Sequence, residues 1–448
     1  MKKCVLVSVL VLSGSVSAWT AVPVDTTGST ARGWWTSLVV RGDTLHIAYA
    51  AHTSSDPLQT DIRYARSTDL GATWTIERVD SAANYGSGYA LLGWWRGGLD
   101  IDTLGRPHIA YTVEASVGSF CTRAVRLSSG NWRLDTVEMR TSQPLICHDA
   151  DLKIDRTGRT HVVYTYYGYQ TRYAVETTSG WEINDLDYGA SYGVGLALDS
   201  LSNPHVVIGT LSDVRYGYSS DGGSSWLTEN IGPAWWHVDI CLAAEDRPVI
   251  SYTELNTAIR FGRRDGANNW FTTQVDAGGP NCCRPTVFWY APDNGLHVSY
   301  YPYMNSTELK HALSTNSGSS WTPSVVGATG GVYSSCSAPD YVETRRGRFV
   351  AGQWPGYKLG LYYELSTGVA EEPAAALPAL RVYPNPAFGR AWVEQAHGTV
   401  SVSDVSGRVR FTAPALSGRA ELDLSGLEPG VYVVSGFEAA AGKLVVSR

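Results

Sequence analysis

The chain has 448 residues, 44% hydrophobic and 17% charged, which allows two or three domains with sizeable cores or one large repeat array. Its net charge of −7 argues against nucleic acid or an anionic membrane as a partner. Tyr (26) and Trp (16) far outnumber Phe (8) and Met (3), a balance that suits strands and wet surfaces better than helical bundles. The first segment reads as an export signal, residues 1–18. Lys2 and Lys3 precede an apolar run at 5–12, and Val16-Ser17-Ala18 is a small-residue cleavage site. The run is too short to span a bilayer, and Cys4 lies before it, where a lipid-anchored cysteine would not. No later segment is a transmembrane candidate. Removing the leader takes away two lysines and makes the mature chain more acidic still. Six cysteines remain, and an exported protein can pair them.

A strand, a Gly/Asn/Pro turn and a second strand then recur along the chain. The clear copies are LVVRGDTLHIAYA (38–50), LDIDTLGRPHIAYT (99–112), LKIDRTGRTHVVYT (152–165) and LALDSLSNPHVVIG (196–209). Weaker ones are ICLAAEDRPVISYT (240–253), FWYAPDNGLHVSYY (288–301) and DYVETRRGRFVAGQ (340–353). Their anchor residues are His46, His108, His161, His205, Val249, His297 and Phe349. A third strand follows each copy, then a tight turn ending in Trp, then a short fourth strand. Four short strands per period describe a propeller blade. Trp74, Trp132, Trp181, Trp226, Trp270 and Trp321 mark only six fourth strands. The mature start, WTAVPVD at 19–25, matches WTIERVD at 74–80 and supplies the seventh. The expectation is a seven-bladed propeller over 19–368, closed by its N-terminal strand, which hides an otherwise free sheet edge.

The turn between third and fourth strands reads SxDxGxxW. Asp or Asn can bond the turn backbone, Gly supplies a positive φ, and Trp packs between sheets. Asp69, Gly71 and Trp74 form one copy, Asp221, Gly223 and Trp226 a second. Asn316, Gly318 and Trp321 form a third with one substitution. The motif resembles the Asp-box, or bacterial neuraminidase repeat, of sialidase-like propellers. That resemblance implies a scaffold role on the face away from the ligand.

Composition changes near Gly368. Residues 369–380, VAEEPAAALPAL, read as a linker. Alternating strands separated by Gly/Pro/Asp turns fill 381–448 and predict a small Ig-like β-sandwich. Tyr383, Pro384, Asn385 and Pro386, Asp404 with Gly407, Leu427 with Gly430 and Tyr432, and the final 443–448 resemble a type A sorting domain of the type IX secretion system. The resemblance implies export across the outer membrane of a Gram-negative-type bacterium, with the protein secreted or held at the cell surface.

In a propeller the loops entering each first strand share one end of the central channel, its mouth. Thirteen residues before the anchors lie Trp95, His148, Tyr192, Trp236, Arg284 and Cys336, and the shorter first copy gives Trp34. Trp35, Trp94, Trp235, Arg96, Asp149 and His237 are their neighbours. Ten residues before the anchors, Asp151 and Asp239 stand where other copies have the small Gly98 and Gly195. Aromatic rings beside Arg, His and Asp suit sugar rings, which stack through C–H faces and bond through hydroxyls. The alternative use is structural, with Trp plugging the channel and the acids holding water or backbone amides.

The chemistry of the resembled family is not complete here. Sialidases carry three arginines, a Tyr–Glu pair, an Asp and an early Phe-Arg-x-Pro motif, and the last does not occur. Asp151 and Asp239 would need glycosidase spacing to act as a pair. A lyase could use His148 or His237 as base, Tyr192 as acid and Arg284 against a uronate. The missing signatures shift weight from enzyme to binder. The expected partner is an extracellular glycan or other polymer held by Trp34, Trp95, Arg96, His148, Tyr192, Trp236 and Arg284. The rivals are a carbohydrate-active enzyme, glycosidase or lyase, and a structural or adhesion protein of the cell surface. No metal site and no cofactor are indicated. Cys121 could bridge to Cys147, and Cys336 lies near Cys282 or Cys283 by register, while Cys241 is a candidate buried thiol.

Overall fold

The structure is a computed structural model. It describes residues 19–25, 35–52, 60–85, 90–92, 97–141, 147–166, 170–186, 191–235, 237–254, 257–278, 285–303, 306–329, 339–355, 358–366, 380–394, 397–404, 409–415, 419–437 and 439–447. The chain divides into two compact units, Met1–Ser366 and Thr367–Arg448.

The first unit is a ring of seven antiparallel sheets. Their innermost strands, blades 1 to 7 in turn, are Thr36–Arg41, Gly98–Ile101, Cys147–Ile154, Ser191–Leu198, Val238–Ala243, Thr286–Tyr290 and Asp340–Thr344. Each blade pairs its strands in sequence order from the inside outward, except the last. There the outermost position belongs to Thr20–Asp25, which pairs with Lys358–Leu365 from Thr20 opposite Tyr363 to Asp25 opposite Leu359. The expected closure by the N-terminal strand is therefore present. Blade 2 adds one variation: Ala90–Leu92 and Gly98–Ile101 share the inner position along Pro107–Ala115.

The second strands explain the composition. THVVYTY at Thr160–Tyr166 is buried along its whole length, because each blade is covered on both faces by its neighbours. Such strands read as nearly continuous apolar runs. The hydrophobic cores lie between blades, one cluster to each interface. Trp35, Ile62 and Tyr64 of blade 1 meet Leu99, Ile109 and Tyr111 of blade 2, for example. At the closing interface Val24 joins Leu45, Ile47, Phe349 and Leu361.

The SxDxGxxW turns lock this packing. Ser67 Oγ donates to Asp69 Oδ1 at 2.7 Å, and Asp69 accepts from the Thr73 amide at 2.9 Å and hydroxyl at 2.6 Å. Asp221 repeats the arrangement with Ser219 and Ser225, and Asn316 with Ser314 and Ser320, except that the Asn316 amide donates to the Ser320 hydroxyl. The Gly71 amide donates to Ser67 Oγ at 2.8 Å, and the Trp74 indole N–H to the Gly71 carbonyl at 3.1 Å. Six of the fourth-strand rings then meet one equivalent position on the third strand of the preceding blade. Trp132 meets Tyr64, Trp226 meets Tyr173, Trp270 meets Tyr216 and Trp321 meets Phe261, with centroids 5.1–5.4 Å apart. Trp181 takes the Arg123 guanidinium at 4.8 Å, and Trp19 meets His311 at 5.9 Å. Trp19 thus fills the seventh place.

The second unit has seven strands in one hydrogen-bonded order. Arg381–Phe388 lies between two groups, antiparallel to Arg390–Glu394 and parallel to Ala439–Val446 at Ala387 and Val446. Its core is aliphatic, with Val393, Val400, Val402, Leu422, Val434 and Leu444 buried. Tyr383 donates to Glu394 at 2.8 Å, and the Asn385 side chain accepts the Val445 amide at 2.8 Å, so YPNP ties the first strand to both groups. The Tyr383–Pro384 and Asn385–Pro386 bonds are cis.

Candidate functional site

All seven inner strands begin at one end of the ring, which defines the mouth. Trp34, Trp94, Trp95, Arg96, Trp236, Arg284, Cys282, Cys283 and Cys336 lie outside the described residues, as do the side chains of Cys147 and His148. His148 is the second residue of the inner strand Cys147–Ile154. Tyr192 sits at the start of Ser191–Leu198 with 9% of its surface exposed, and His237 is buried one residue before Val238. Trp235 is half-buried, and its carbonyl accepts the Thr253 hydroxyl. The structure therefore brings Tyr192, Trp235 and His237 to the mouth end of blades 4 and 5.

The inner-strand acids are buried and used by the backbone. Asp151 accepts the Leu152 amide at 2.8 Å through one oxygen and the Leu196 amide of the next blade at 3.0 Å through the other. Asp239 accepts the Val287 amide of blade 6 at 2.9 Å. Asp149 reaches Val194, Asp100 reaches Ile154, and Asp340 reaches Leu38 across the closing interface. Neighbouring inner strands share no ladder, so their facing amides need acceptors. These carboxylates supply them, which is the structural use of the two weighed from sequence. The cross-blade role of Asp100 and Asp340 had a sequence signal, an acid on the inner strand facing a small or apolar residue one blade on.

Among the described residues, two polar side chains at this end, Trp35 and Gln353, are buried without a hydrogen-bond partner. Trp35, fully buried directly before Thr36, has no acceptor for its indole N–H among the described residues. Gln353, 1% exposed, has no hydrogen-bond partner for either amide atom among the described residues. It lies at the mouth end of Gly347–Trp354, two residues beyond Ala351, whose carbonyl accepts the Thr36 hydroxyl at 3.2 Å. Native interiors leave few such groups unsatisfied, and each calls for an explanation.

The opposite end carries the anchors. His46, His161 and His205 pair through Nδ1 with the hydroxyls of Tyr64, Tyr173 and Tyr216. In blades 2, 3 and 4 an Asp six residues earlier faces the other nitrogen: Asp102–His108 at 3.3 Å, Asp155–His161 at 3.2 Å and Asp199–His205 at 3.7 Å. Burial, with nearby arginines, pushes His46 down to about 4, and burial pushes His205 to about 4 against the pull of Asp199. These histidines are packing elements. His297, His311 and Tyr341 form a stack of three rings across blades 6 and 7, with centroids 4.8–5.3 Å apart.

Cys121 is a buried free thiol on Gly118–Arg126, so the bridge to Cys147 expected from sequence is not formed. Strand packing fixes the reason: Cys121 sits opposite Thr112 and Glu138 inside the sheet, covered by the blade 3 core. Cys241 is likewise free, on an inner strand, with its thiol pushed up by burial. Among the described residues no group of His, Cys, Asp and Glu could hold a metal ion, and no helix is long and apolar enough to cross a membrane.

No family model and no curated protein matches the chain. Similar solved structures include a mutant of NanB sialidase from Streptococcus pneumoniae, 12% identical over 74% of this chain and 67% of that one, TM-score 0.42. An alpha-L-arabinanase from Penicillium chrysogenum is 13% identical over 77% and 98%, TM-score 0.47. A mutant Aleuria aurantia lectin in complex with alpha-methyl-L-fucoside is 14% identical over 62% and 92%, TM-score 0.44. The likeness is one of fold.

Proposed function

We propose that the propeller is an extracellular binding protein for glycan or another polymer, held at the mouth end of the ring. The observation that carries this reading is the half-buried Trp235, just before the inner strand of blade 5 at the mouth end. A partly exposed indole offers the face on which the C–H groups of a sugar ring stack. Tyr192 and His237 are buried at the same end. The sequence adds Trp34, Trp95, Arg96, His148, Trp236 and Arg284 directly before or at the inner strands. Binding is favoured over hydrolysis because Asp151 and Asp239 hold main-chain amides. The YPNP-bearing tail and the leader serve export by the type IX route and delivery to the cell surface or medium.

A glycan array and a hydrolase and lyase screen on the full chain test this, with Trp236→Ala and His148→Ala as controls. Binding to a defined set of glycans, weakened at least tenfold by Trp236→Ala, is the expected result. Binding that survives both substitutions removes the site from the mouth. Turnover of a glycan would replace the binder with an enzyme, and an array without hits would favour the adhesion or scaffold role.

A further inference from the structure

The anchor pair that blades 2, 3 and 4 share is missing from blade 5. In blades 2 and 3 an arginine four residues after the Asp clamps the same carboxylate, Arg106 at 2.7 Å and Arg159 at 2.8 Å. In blade 4 Asn203 does so at 2.9 Å. The equivalent positions in blade 5 are Ala243 for the Asp, Arg247 for the clamp and Val249 for the His. The guanidinium remains while its carboxylate and imidazole are gone. Arg247 lies 4.0 Å from Glu245, itself 88% exposed, and its charge also reaches Asp265.

A hollow of about 210 Å³ occupies the vacated space. Val249, Leu296 and Ala243 form its apolar floor, the half-buried Trp289 its wall, and Arg247 and Arg263 its charged rim. Arg263 is already paired with Asp265, at 2.6 and 2.9 Å, and donates to the Ser317 carbonyl. Arg247 therefore carries the cationic demand. The turn beside it holds Glu245 and Asp246 at φ of 62° and 55°, left-handed backbone that side chains rarely adopt. Strain of this kind persists only where the surroundings enforce it.

We propose that this hollow, at the end of the ring opposite the mouth, binds the carboxylate of an acidic sugar, a uronate residue. The ligand carboxylate takes the place that Asp102, Asp155 and Asp199 fill in their own blades, against Arg247. The pyranose ring covers the Trp289 face, where C–H groups meet the indole. The volume is small beside drug-sized sites, so one ring enters. A neutral sugar lacks the charge-assisted bond to the guanidinium.

Ligand-observed NMR titration of the full chain with D-galacturonate and D-galactose at low salt tests this. Galacturonate binds in the millimolar range expected for so small a ligand, and galactose at least tenfold more weakly. Arg247→Gln, on the surface, weakens galacturonate at least tenfold. The pair Ala243→Asp with Val249→His rebuilds the anchor of the other blades and abolishes binding. Val249→Leu, a milder filling, does the same if the double variant does not fold. Trp236→Ala leaves galacturonate binding unchanged. Equal binding of the two sugars, or binding within twofold of the parent in Arg247→Gln and in the filled variant, overturns the proposal. Loss of galacturonate binding in Trp236→Ala also overturns it, by assigning the sugar to the mouth.

Discussion

Gly223 has no room for a methyl group: at a φ of 101° a Cβ would run into the Tyr173 ring of the preceding blade. Gly222, at 74°, has open space. Gly223→Ala should cost about 2–4 kcal/mol, strain plus overpacking, and Gly222→Ala about 1 kcal/mol, read as urea midpoints at constant m. The local motif was legible in sequence because all its hydrogen bonds close within eight residues. The partner ring of Trp226 was not, because the contact crosses to another sheet. Gln353 offers a second test. Gln353→Leu removes two buried polar atoms that have no hydrogen-bond partner among the described residues and should stabilise the protein by about 1–2 kcal/mol. A loss of stability would mean that the amide serves the fold. The histidines set the response to acid. His46 and His205 are held near 4 and His297 near 3 by burial, below the 6.5 of an unfolded chain. Their neutral forms stabilise the fold fully above pH 6.5, and that contribution is lost as pH falls toward the folded values, because the unfolded chain takes up protons first. Burial pushes Asp102 up, but bonds from His108 and Arg106 outweigh it and hold it at about 2, so its contribution is lost later, below pH 4. Urea unfolding should therefore show stability falling between pH 6.5 and 4, and His205→Gln should flatten that slope.

Inner strands are the elements whose role sequence left divided. Their acids stood beside aromatic residues in a way that fitted both catalysis and scaffolding, and register alone does not say which amide a carboxylate meets on another sheet. The structure resolves Asp151 as a staple: its partner Leu196 lies 45 residues away, in the next blade. Asp151→Ala should leave that buried amide without its acceptor and lower stability by about 1–3 kcal/mol, with m unchanged. Asp151→Asn, which keeps an acceptor, should recover much of the loss. The second strands were legible for the opposite reason. Burial on both faces writes an apolar run that a single sequence displays, and the turn residues on either side mark its ends. The missing Asp–His pair of blade 5 was also written in the repeats. Its meaning depended on knowing that the pair touches in blades 2, 3 and 4.

At the scale of the whole molecule the ring is held shut by Thr20–Asp25. The Asp25 carboxylate is fully buried and accepts the Tyr49 hydroxyl and the Arg63 guanidinium of blade 1, each at 2.6 Å. Asp25→Ala removes the buried acceptor shared by Tyr49 and Arg63 and should cost about 3–5 kcal/mol, seen as a lower thermal midpoint and faster proteolysis of blade 7. The blade count was legible because Trp19 repeats the fourth-strand signature, although it stands at the far end of the chain from the sheet it completes.

That same pairing puts the two chain ends of the propeller side by side, with Thr20 opposite Tyr363. Order along the polypeptide and order around the circle are thus separable. A short linker from Ser366 back to Trp19, with new termini cut at the exposed Leu201 turn, would give a permuted protein with the last blade built from continuous chain. Such a protein would keep its shape and lose its latch, and its unfolding rate against the parent would measure how much of the ring's endurance comes from where the chain happens to begin.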